Sequence, residues 1–400
     1  MTESTIPLSK SARQTHIPEL DGLRGTAILL VAILHYVAVP GSRLQYLVLR
    51  FVSIGWTGVD LFFVLSGFLI GGILLDVRNS PSRFKTFYAR RFFRIIPIYY
   101  TWILFYALIV IIGAFVPAVA ETNVTRSPAQ LMGIHSLFLQ NIFFRLDGPL
   151  SDVWFRHTWS LAVEEQFYLV VPLLITLLSS RTLTKLLISI IVGAPLLRLA
   201  TVFLAPGDVS SSWLTYTLTL CRADALTCGV LAAILWRSAR FLEWASKKTV
   251  ALNAGFCVLL GGVFALWKWS PQPLSLGAPT IGYTWMAVFY TVLLFLVLLQ
   301  RASPLARCAR AAWLRELGSI SYCVYIIHRA VLLFTFKLVL HKTPSLFNWR
   351  DAAVTMLAVL LTYALAKLSW LYLEQPLMQL GHAFKYHTAR NVLSRPETAL

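Results

Sequence analysis

Charged residues are scarce in this sequence of 400 residues, where they make up 13% of the chain against 58% for hydrophobic residues. The mean hydropathy is +0.70. A soluble protein of this length carries more charge, so the composition excludes that class. Long apolar stretches recur along the whole chain, and lipid offers no hydrogen-bond partner to a non-helical backbone. We therefore predict an all-α, polytopic integral membrane protein.

Metal-binding and redox patterns of cysteine and histidine are also lacking. The five cysteines lie in or beside apolar stretches, at spacings that fit no such motif. The eight histidines include no pair spaced four residues apart, so we expect no metal and no permanently bound cofactor. The net charge is +18, but the basic residues are spread over several loops, which argues against a nucleic-acid partner.

Ten apolar stretches are long enough to cross the hydrocarbon core, which takes about 20 residues. They are predicted at 23–40, 53–75, 95–119, 158–179, 184–204, 213–236, 249–269, 279–300, 317–340 and 352–374. The stretch at 213–236 contains Arg222 and Asp224 and is predicted to be short or irregular. The predicted organisation is a cytoplasmic tail over 1–22, a ten-helix membrane domain over 23–376 and a cytoplasmic tail over 377–400.

Basic residues set the predicted orientation in the membrane. The segments after the second, sixth and eighth spans are rich in lysine and arginine, whereas Lys268 stands alone between the seventh and eighth spans. The positive-inside rule places the rich segments, and with them both termini, in the cytoplasm. The polar residues 1–20 and the long first apolar run indicate no cleavable signal peptide.

Two ionisable residues share one face of the first span. His35 lies in an apolar run, and Arg24 precedes it by eleven positions. On a helix this spacing is roughly 16 Å along the axis and only about 20° in azimuth. Ionisable groups inside a membrane are costly and indicate function. Because an imidazole takes or gives a proton near neutral pH, His35 is the leading catalytic candidate.

Further polar residues interrupt other spans. Asp60 begins the second span, and Ser66 falls near its middle, where a small residue serves either helix packing or substrate binding. Glu164 and Glu165 are adjacent near the start of the fourth span. Adjacent helical residues point about 100° apart, so we expect one carboxylate to pair with a buried cation and the other to face a cavity.

Two more pairs follow helical spacing. Arg91 and Arg94 lie one turn apart and serve either as phosphate ligands or as an ordinary positive-inside anchor. Tyr325 and His328 are three residues apart on one face of the ninth span, where His328 is either a structural or a site residue. Arg198, Arg222 and Asp224 either line an acceptor cavity or form ion pairs.

The predicted topology separates these residues by charge. It places His35, Asp60, Glu164 and Glu165 in the outer half of the membrane. Arg24, Arg91 and Arg94 fall near the cytoplasmic face. A cavity of this kind suits an anionic donor that enters from the cytosol and reaches outward with its reactive end.

Several of these residues lie in motifs through which the chain resembles the membrane acyltransferase family 3. The motifs are Leu20-Asp-Gly-Leu-Arg24-Gly followed by His35, Phe62-Phe-Val-Leu-Ser-Gly-Phe68, Arg91-x-x-Arg94-Ile-x-Pro97, Thr158-Trp-Ser-Leu-Ala-Val-Glu-Glu-Gln-Phe-Tyr168 and Ser321-Tyr-Cys-Val-Tyr-Ile-Ile-His328. The resemblance covers essentially the whole chain. It implies a multi-pass O-acyltransferase of the bacterial inner (plasma) membrane, with an acyl-CoA, usually acetyl-CoA, as donor substrate.

The resemblance also implies a hydroxyl acceptor on a carbohydrate or lipid-linked glycan, such as an O-antigen or exopolysaccharide, and possible partners in glycan assembly. We expect the membrane domain to perform the transfer alone or with a separate partner protein. The alternative function is a transporter or flippase of a sugar or lipid-linked glycan, which also uses intramembrane ionisable groups. The absence of a detectable inverted repeat disfavours this alternative.

The sequence thus predicts roles for ten residues. His35 acts as a general base or as a transient acyl carrier, and Asp60 or Glu165 orients its imidazole. Arg91 and Arg94, with Arg24, bind the phosphates of CoA. The predicted substrate-binding residues are Glu164, Ser66, Tyr325 and His328.

Overall fold

A computed structural model describes residues 17–115, 127–143, 154–204, 209–275 and 277–386. Within these ranges the chain is almost entirely helical and contains no strand. The α-helices, in chain order, are α1 (Pro18–Val37), α2 (Arg43–Val52), α3 (Gly58–Asp76), α4 (Arg83–Phe115), α5 (Pro128–Ser136), α6 (Trp159–Leu177), α7 (Ser180–Leu204), α8 (Val209–Thr217), α9 (Thr219–Trp236), α10 (Ala239–Lys247), α11 (Thr249–Trp269), α12 (Tyr283–Leu299), α13 (Pro304–Ala309), α14 (Ala312–Ser319), α15 (Ser321–Leu340), α16 (Trp349–Ser369) and α17 (Gln375–His382). Short 3₁₀ turns cover Ser53–Thr57 and Arg156–Thr158, and π-helical turns cover Ala278–Gly282 and Trp370–Glu374.

Ten helical stretches of the described chain are long and apolar enough to cross a membrane. They are Pro18–Val37, Arg43–Asp76, Arg83–Ile112, Arg156–Leu177, Ser180–Leu204, Trp213–Trp236, Thr249–Trp269, Ala278–Leu299, Ser321–Leu340 and Trp349–His382. The prediction of an all-α, multi-pass membrane protein is confirmed. The predicted irregularity near 213–236 is also present, because the helix is interrupted at Leu218, between α8 and α9.

Helix ends differ from the predicted spans where charged residues continue a helix. α1 begins at Pro18 rather than 23, so the predicted boundary at 22 falls inside this helix. A proline suits the first turn of a helix, where its missing N–H is not needed. α4 begins at Arg83 rather than 95, because hydropathy ends a span at charged residues although the helix continues through them. α17 likewise crosses the predicted boundary at 376.

Glycines bring two pairs of helices into close contact. A Cβ atom on Gly67 of α3 would lie 2.0 Å from the carbonyl oxygen of Leu226 on α9. A Cβ atom on Gly25 of α1 would lie 2.0 Å from the carbonyl oxygen of Leu314 on α14. Small residues at such crossings let membrane helices approach closely. The second contact fixes α1 against α14, which leads directly into α15.

Two buried ion pairs join the central helices. Arg222 of α9 lies 2.5 Å from Asp60 of α3, and neither side chain is exposed. Arg198 of α7 lies 3.0 Å from Asp224 of α9. The guanidinium of Arg222 also lies 4.0 Å from the ring centre of Tyr283. The structure thus shows ion pairs, which is the second of the two alternatives predicted for Arg198, Arg222 and Asp224.

Candidate active site

A cavity between α1, α3, α4, α6 and α15 holds about 810 Å³ of space that protein atoms do not fill. Seven of the ten predicted site residues line it: Arg24, Ser66, Arg91, Arg94, Glu164, Glu165 and Tyr325. Apolar side chains of α3 form much of the remaining wall. We call this space the main cavity.

Three arginines gather at one end of the main cavity. Arg94 forms no hydrogen bond or ion pair with any residue that the structure describes, and it lies in the electrostatic field of Arg24 and Arg91. Arg91 lies 5.0 Å from the ring centre of Tyr168. Arg24 has a weak contact of 3.6 Å with Asp21. Because neither Arg91 nor Arg94 forms an ion pair with a described residue, their guanidinium groups are available to an anionic ligand at this end.

The paired carboxylates lie next to these arginines. Glu164 accepts a hydrogen bond of 3.3 Å from the hydroxyl of Tyr168, whose oxygen also lies 2.6 Å from Oγ of Ser66. The cations nearest to the Glu164 carboxylate include Arg91, Arg24 and Arg94. Glu165 lines the cavity and makes no hydrogen bond with the described residues. Glu164 also lines the cavity and forms no ion pair in the described chain, so the structure does not show the predicted division of the pair.

A second cavity of about 600 Å³ adjoins the arginine end, and we call it the lower cavity. It shares Arg91 and Arg94 with the main cavity and is otherwise lined by Ile73, Phe87, Arg90, Met378, His382 and Tyr386. Arg90 donates hydrogen bonds of 3.0 and 2.8 Å to the carbonyl oxygen of Phe384. The segment from α17 to Tyr386 thus closes one side. None of the lining residues is a carboxylate.

His35 and His328 form a direct pair at the opposite end of α1 from Arg24. Nδ1 of His35, in the last turn of α1, lies 2.8 Å from Nε2 of His328 on α15. The two rings are stacked, with centroids 5.0 Å apart. His328 is fully buried, whereas His35 is half-buried. Neither residue lines the main cavity.

Tyr325 lies between the main cavity and the histidine pair. Its hydroxyl donates a hydrogen bond of 2.6 Å to the carbonyl oxygen of His157 and lies 2.6 Å from Oγ of Ser160. The ring of Phe62 is 6.3 Å from that of Tyr325, and Tyr325, Ser160 and Phe62 all line the cavity. His328 follows one turn later on α15. These residues therefore bound the cavity at its histidine end.

The sequence reasoning did not identify His157 as a neighbour of this site. Its Nε2 lies 3.1 Å from the carbonyl oxygen of Ile326, and its ring centre lies 5.2 Å from that of His328. Its Nδ1 is buried with no hydrogen-bond partner among the described residues. In the sequence, His157 could have been identified by its position directly before the motif that begins at Thr158.

Asp60 has a different partner from the one predicted. The sequence suggested that it orients His35, but in the structure its carboxylate binds Arg222, and the imidazole of His35 binds His328. No described contact joins Asp60 to His35. The physical reason is that α3 packs against α9, which presents a buried cation to Asp60.

A family model described as "Acyltransferase domain", for acyltransferase 3, matches residues 17–367. The chain therefore belongs to this acyltransferase family, as the sequence motifs predicted. The lining residues of the main cavity and the histidine pair both lie within the matched residues. No solved structure gives a significant match to the chain.

Several curated bacterial proteins are similar to the chain. It is 29% identical over 381 residues to "Peptidoglycan O-acetyltransferase OatA" of Listeria monocytogenes, an alignment that covers 92% of this chain and 56% of that protein. It is 28% identical to "Putative peptidoglycan O-acetyltransferase YrhL" of Bacillus subtilis, covering 93% of the chain and 56% of that protein. It is 26% identical to "O-acetyltransferase OatA" of Staphylococcus aureus, covering 94% and 59%. The chain thus spans less than three-fifths of the length of these relatives.

Proposed function

We propose that this protein transfers an acyl group from a cytosolic acyl-CoA to a hydroxyl group of a carbohydrate at the bacterial plasma membrane. One arrangement carries the proposal. Arg24 lies at the cationic end of the main cavity, and His35, about 16 Å further along the same helix, pairs with His328 beyond the other end. A donor with a charged head and a long flexible arm fits a site whose cations and imidazole are this far apart.

The two cavities suggest where the different parts of CoA bind. The phosphates bind in the lower cavity, where Arg90, Arg91, Arg94 and His382 supply donors and no lining residue is acidic. The pantetheine arm occupies the main cavity, whose walls are largely apolar. There Glu164 and Glu165 accept hydrogen bonds from the amide N–H groups of the arm. The acyl end then passes Tyr325 to reach His35.

Two routes of transfer use the same histidine. In the direct route, His35 accepts the proton of the acceptor hydroxyl while the hydroxyl oxygen bonds to the thioester carbonyl carbon. The carbon–sulfur bond breaks, and the CoA thiolate takes the proton from His35, which yields an ester and free CoA. In the acyl-histidine route, the imidazole first displaces CoA, and the hydroxyl then displaces the imidazole. Both routes require an unprotonated ring nitrogen on His35.

The relatives narrow the proposed reaction. All three have names that specify O-acetyl transfer, and two of the names specify peptidoglycan. We therefore propose acetyl as the acyl group and peptidoglycan or a related surface glycan as the acceptor. The positive-inside rule predicts that the arginine end faces the cytoplasm, where acetyl-CoA is available, and that the histidine end faces the glycan.

The test is release of free CoA from acetyl-CoA by the purified protein in nanodiscs, with and without peptidoglycan fragments. We expect CoA release that depends on the glycan and yields an equal amount of acetylated glycan. Movement of a glycan across proteoliposomes without acetyl-CoA, and without any CoA release in nanodiscs, would instead identify a transporter and refute the proposal. The His35→Ala variant, in which we expect almost no transfer, controls for contaminating thioesterases.

A further inference from the structure

We propose that His328 is a positioning residue that holds the proton of His35 on Nδ1, so that Nε2 of His35 is left as the unprotonated, reactive nitrogen. The inference rests on the proposed function for its catalytic meaning. The proton arrangement itself follows from three contacts and is measurable without turnover.

Backbone carbonyl groups fix the position of the proton on His328. Its Nδ1 lies 2.9 Å from the carbonyl oxygen of Val324 and 2.8 Å from that of Tyr325, both on its own helix. A carbonyl oxygen only accepts hydrogen bonds, so Nδ1 of His328 must carry a proton. A neutral imidazole has a single N–H, which leaves Nε2 of His328 as an acceptor.

The tautomer of His328 in turn fixes the tautomer of His35. Nδ1 of His35 lies 2.8 Å from the accepting Nε2 of His328, so it must be the donor of that hydrogen bond. The only N–H of a neutral His35 is then on Nδ1, and Nε2 carries the lone pair. His35 makes no other hydrogen bond in the described chain, so no described protein group is bonded to its Nε2.

The surroundings of His328 support a neutral ring. His328 is fully buried, and a second proton would place an uncompensated charge in the core. The groups that face it are the rings of Tyr36, Tyr325, His35 and His157, and the nearby cation Arg329 repels further positive charge. No carboxylate is among these neighbours.

In this arrangement the imidazole of His328 takes the place of the carboxylate in a catalytic triad. In a triad, an acidic residue fixes the imidazole tautomer, and loss of the correct tautomer lowers turnover about 10⁴-fold. Here a second imidazole, itself fixed by two backbone carbonyl groups, has that role. Because His328 orients His35, Asp60 can pair with Arg222 without leaving His35 unoriented.

The direct test is nitrogen-15 magic-angle-spinning NMR of histidine-labelled protein in nanodiscs, with the His35 signals assigned by their loss in His35→Gln. We expect wild-type His35 to be protonated on Nδ1 and not on Nε2. Protonation of His35 on Nε2 in the wild type overturns the inference, whether or not the protein shows acyl transfer. Absence of turnover with Nδ1 protonated would count against the proposed function alone.

Two variants of His328 supply the functional test. His328→Leu keeps the volume but removes the acceptor, so we expect His35 to lose both its fixed tautomer and its orientation, and turnover to fall on the order of 10²–10⁴-fold. His328→Gln offers a side-chain oxygen to Nδ1 of His35. We therefore expect its turnover to be at least about tenfold higher than that of the leucine variant. The positioning role is contradicted if His35 keeps its Nδ1 tautomer in the leucine variant. It is also contradicted if the leucine variant turns over at the wild-type rate.

Discussion

Tyr325 and His328 lie one turn apart on α15 and belong to different parts of the site. Tyr325 lines the main cavity, whereas His328 lies beyond it and pairs with His35. The two are joined through the backbone, since Nδ1 of His328 donates to the carbonyl oxygen of Tyr325 over 2.8 Å. A movement of Tyr325 therefore affects both the end of the cavity and the orientation of the histidine pair.

Tyr325→Phe tests this connection. The substitution removes the hydroxyl that bonds to Ser160 and to the carbonyl oxygen of His157. Hydrogen bonds between membrane helices contribute on average about 0.6 kcal/mol each, so we expect a loss of roughly 1–2 kcal/mol in unfolding free energy and a several-fold lower turnover. Tyr372→Phe, at a tyrosine that is 78% exposed, should change neither. Unaltered stability and turnover in Tyr325→Phe would disprove the connection.

Arg94→Ala tests the donor site. Arg94 lines both cavities and makes no hydrogen bond or ion pair within the described ranges, so its guanidinium is available to a phosphate. Hydrogen bonds to charged groups contribute about 1.5–3 kcal/mol, which predicts a KM for acetyl-CoA raised roughly 10- to 100-fold. The control is Arg307→Ala, at an exposed arginine of α13. Equal KM values for the two variants would remove Arg94 from the donor site.

Asp60→Asn separates a structural role from a catalytic one. The substitution leaves the buried Arg222 without its counter-charge, and breaking such a pair costs about 3–5 kcal/mol. We expect a lower thermal midpoint as the primary effect. Asp76→Asn is the control, because its pair with Arg237 is partly exposed and such pairs contribute about 0–1 kcal/mol. A fully stable but inactive Asp60→Asn protein would support the catalytic role instead.

Gly67→Ala tests the crossing of α3 and α9. A Cβ atom would lie 2.0 Å from the carbonyl oxygen of Leu226, so the helices must separate, and the adjacent Ser66 moves with them. We expect a clear loss of thermal stability. Gly255→Ala adds the same methyl group where nothing lies within 4 Å, and should be neutral or slightly stabilising because alanine favours helix. Equal midpoints for the two variants would contradict the close contact.

The sequence predicted those features that depend on spacing within one helix. Arg24 and His35 do share α1, and Arg91 and Arg94 do lie one turn apart on α4. The number of spans also followed from local hydropathy. These properties depend on neighbouring residues, so periodicity is sufficient to predict them.

The partners of these residues could not be predicted in the same way. His35 and His328 are 293 positions apart, and Asp60 and Arg222 are 162 apart. Such contacts depend on which helices pack together, and that is decided by glycine contacts such as Gly25 with Leu314 rather than by periodicity. The sequence does not show which helices pack together, and for this reason the prediction that Asp60 orients His35 was wrong.

The most direct measurement is transfer of labelled acetyl from acetyl-CoA to peptidoglycan fragments by three proteins in nanodiscs: wild type, His35→Ala and His341→Asn. His341 is an exposed histidine with φ of 53°, which asparagine tolerates, so it is a matched control. With equal folding shown by thermal midpoints, the account predicts normal transfer by His341→Asn and a loss on the order of 10²–10⁴-fold in His35→Ala. Equal transfer by all three proteins would contradict the central role of His35.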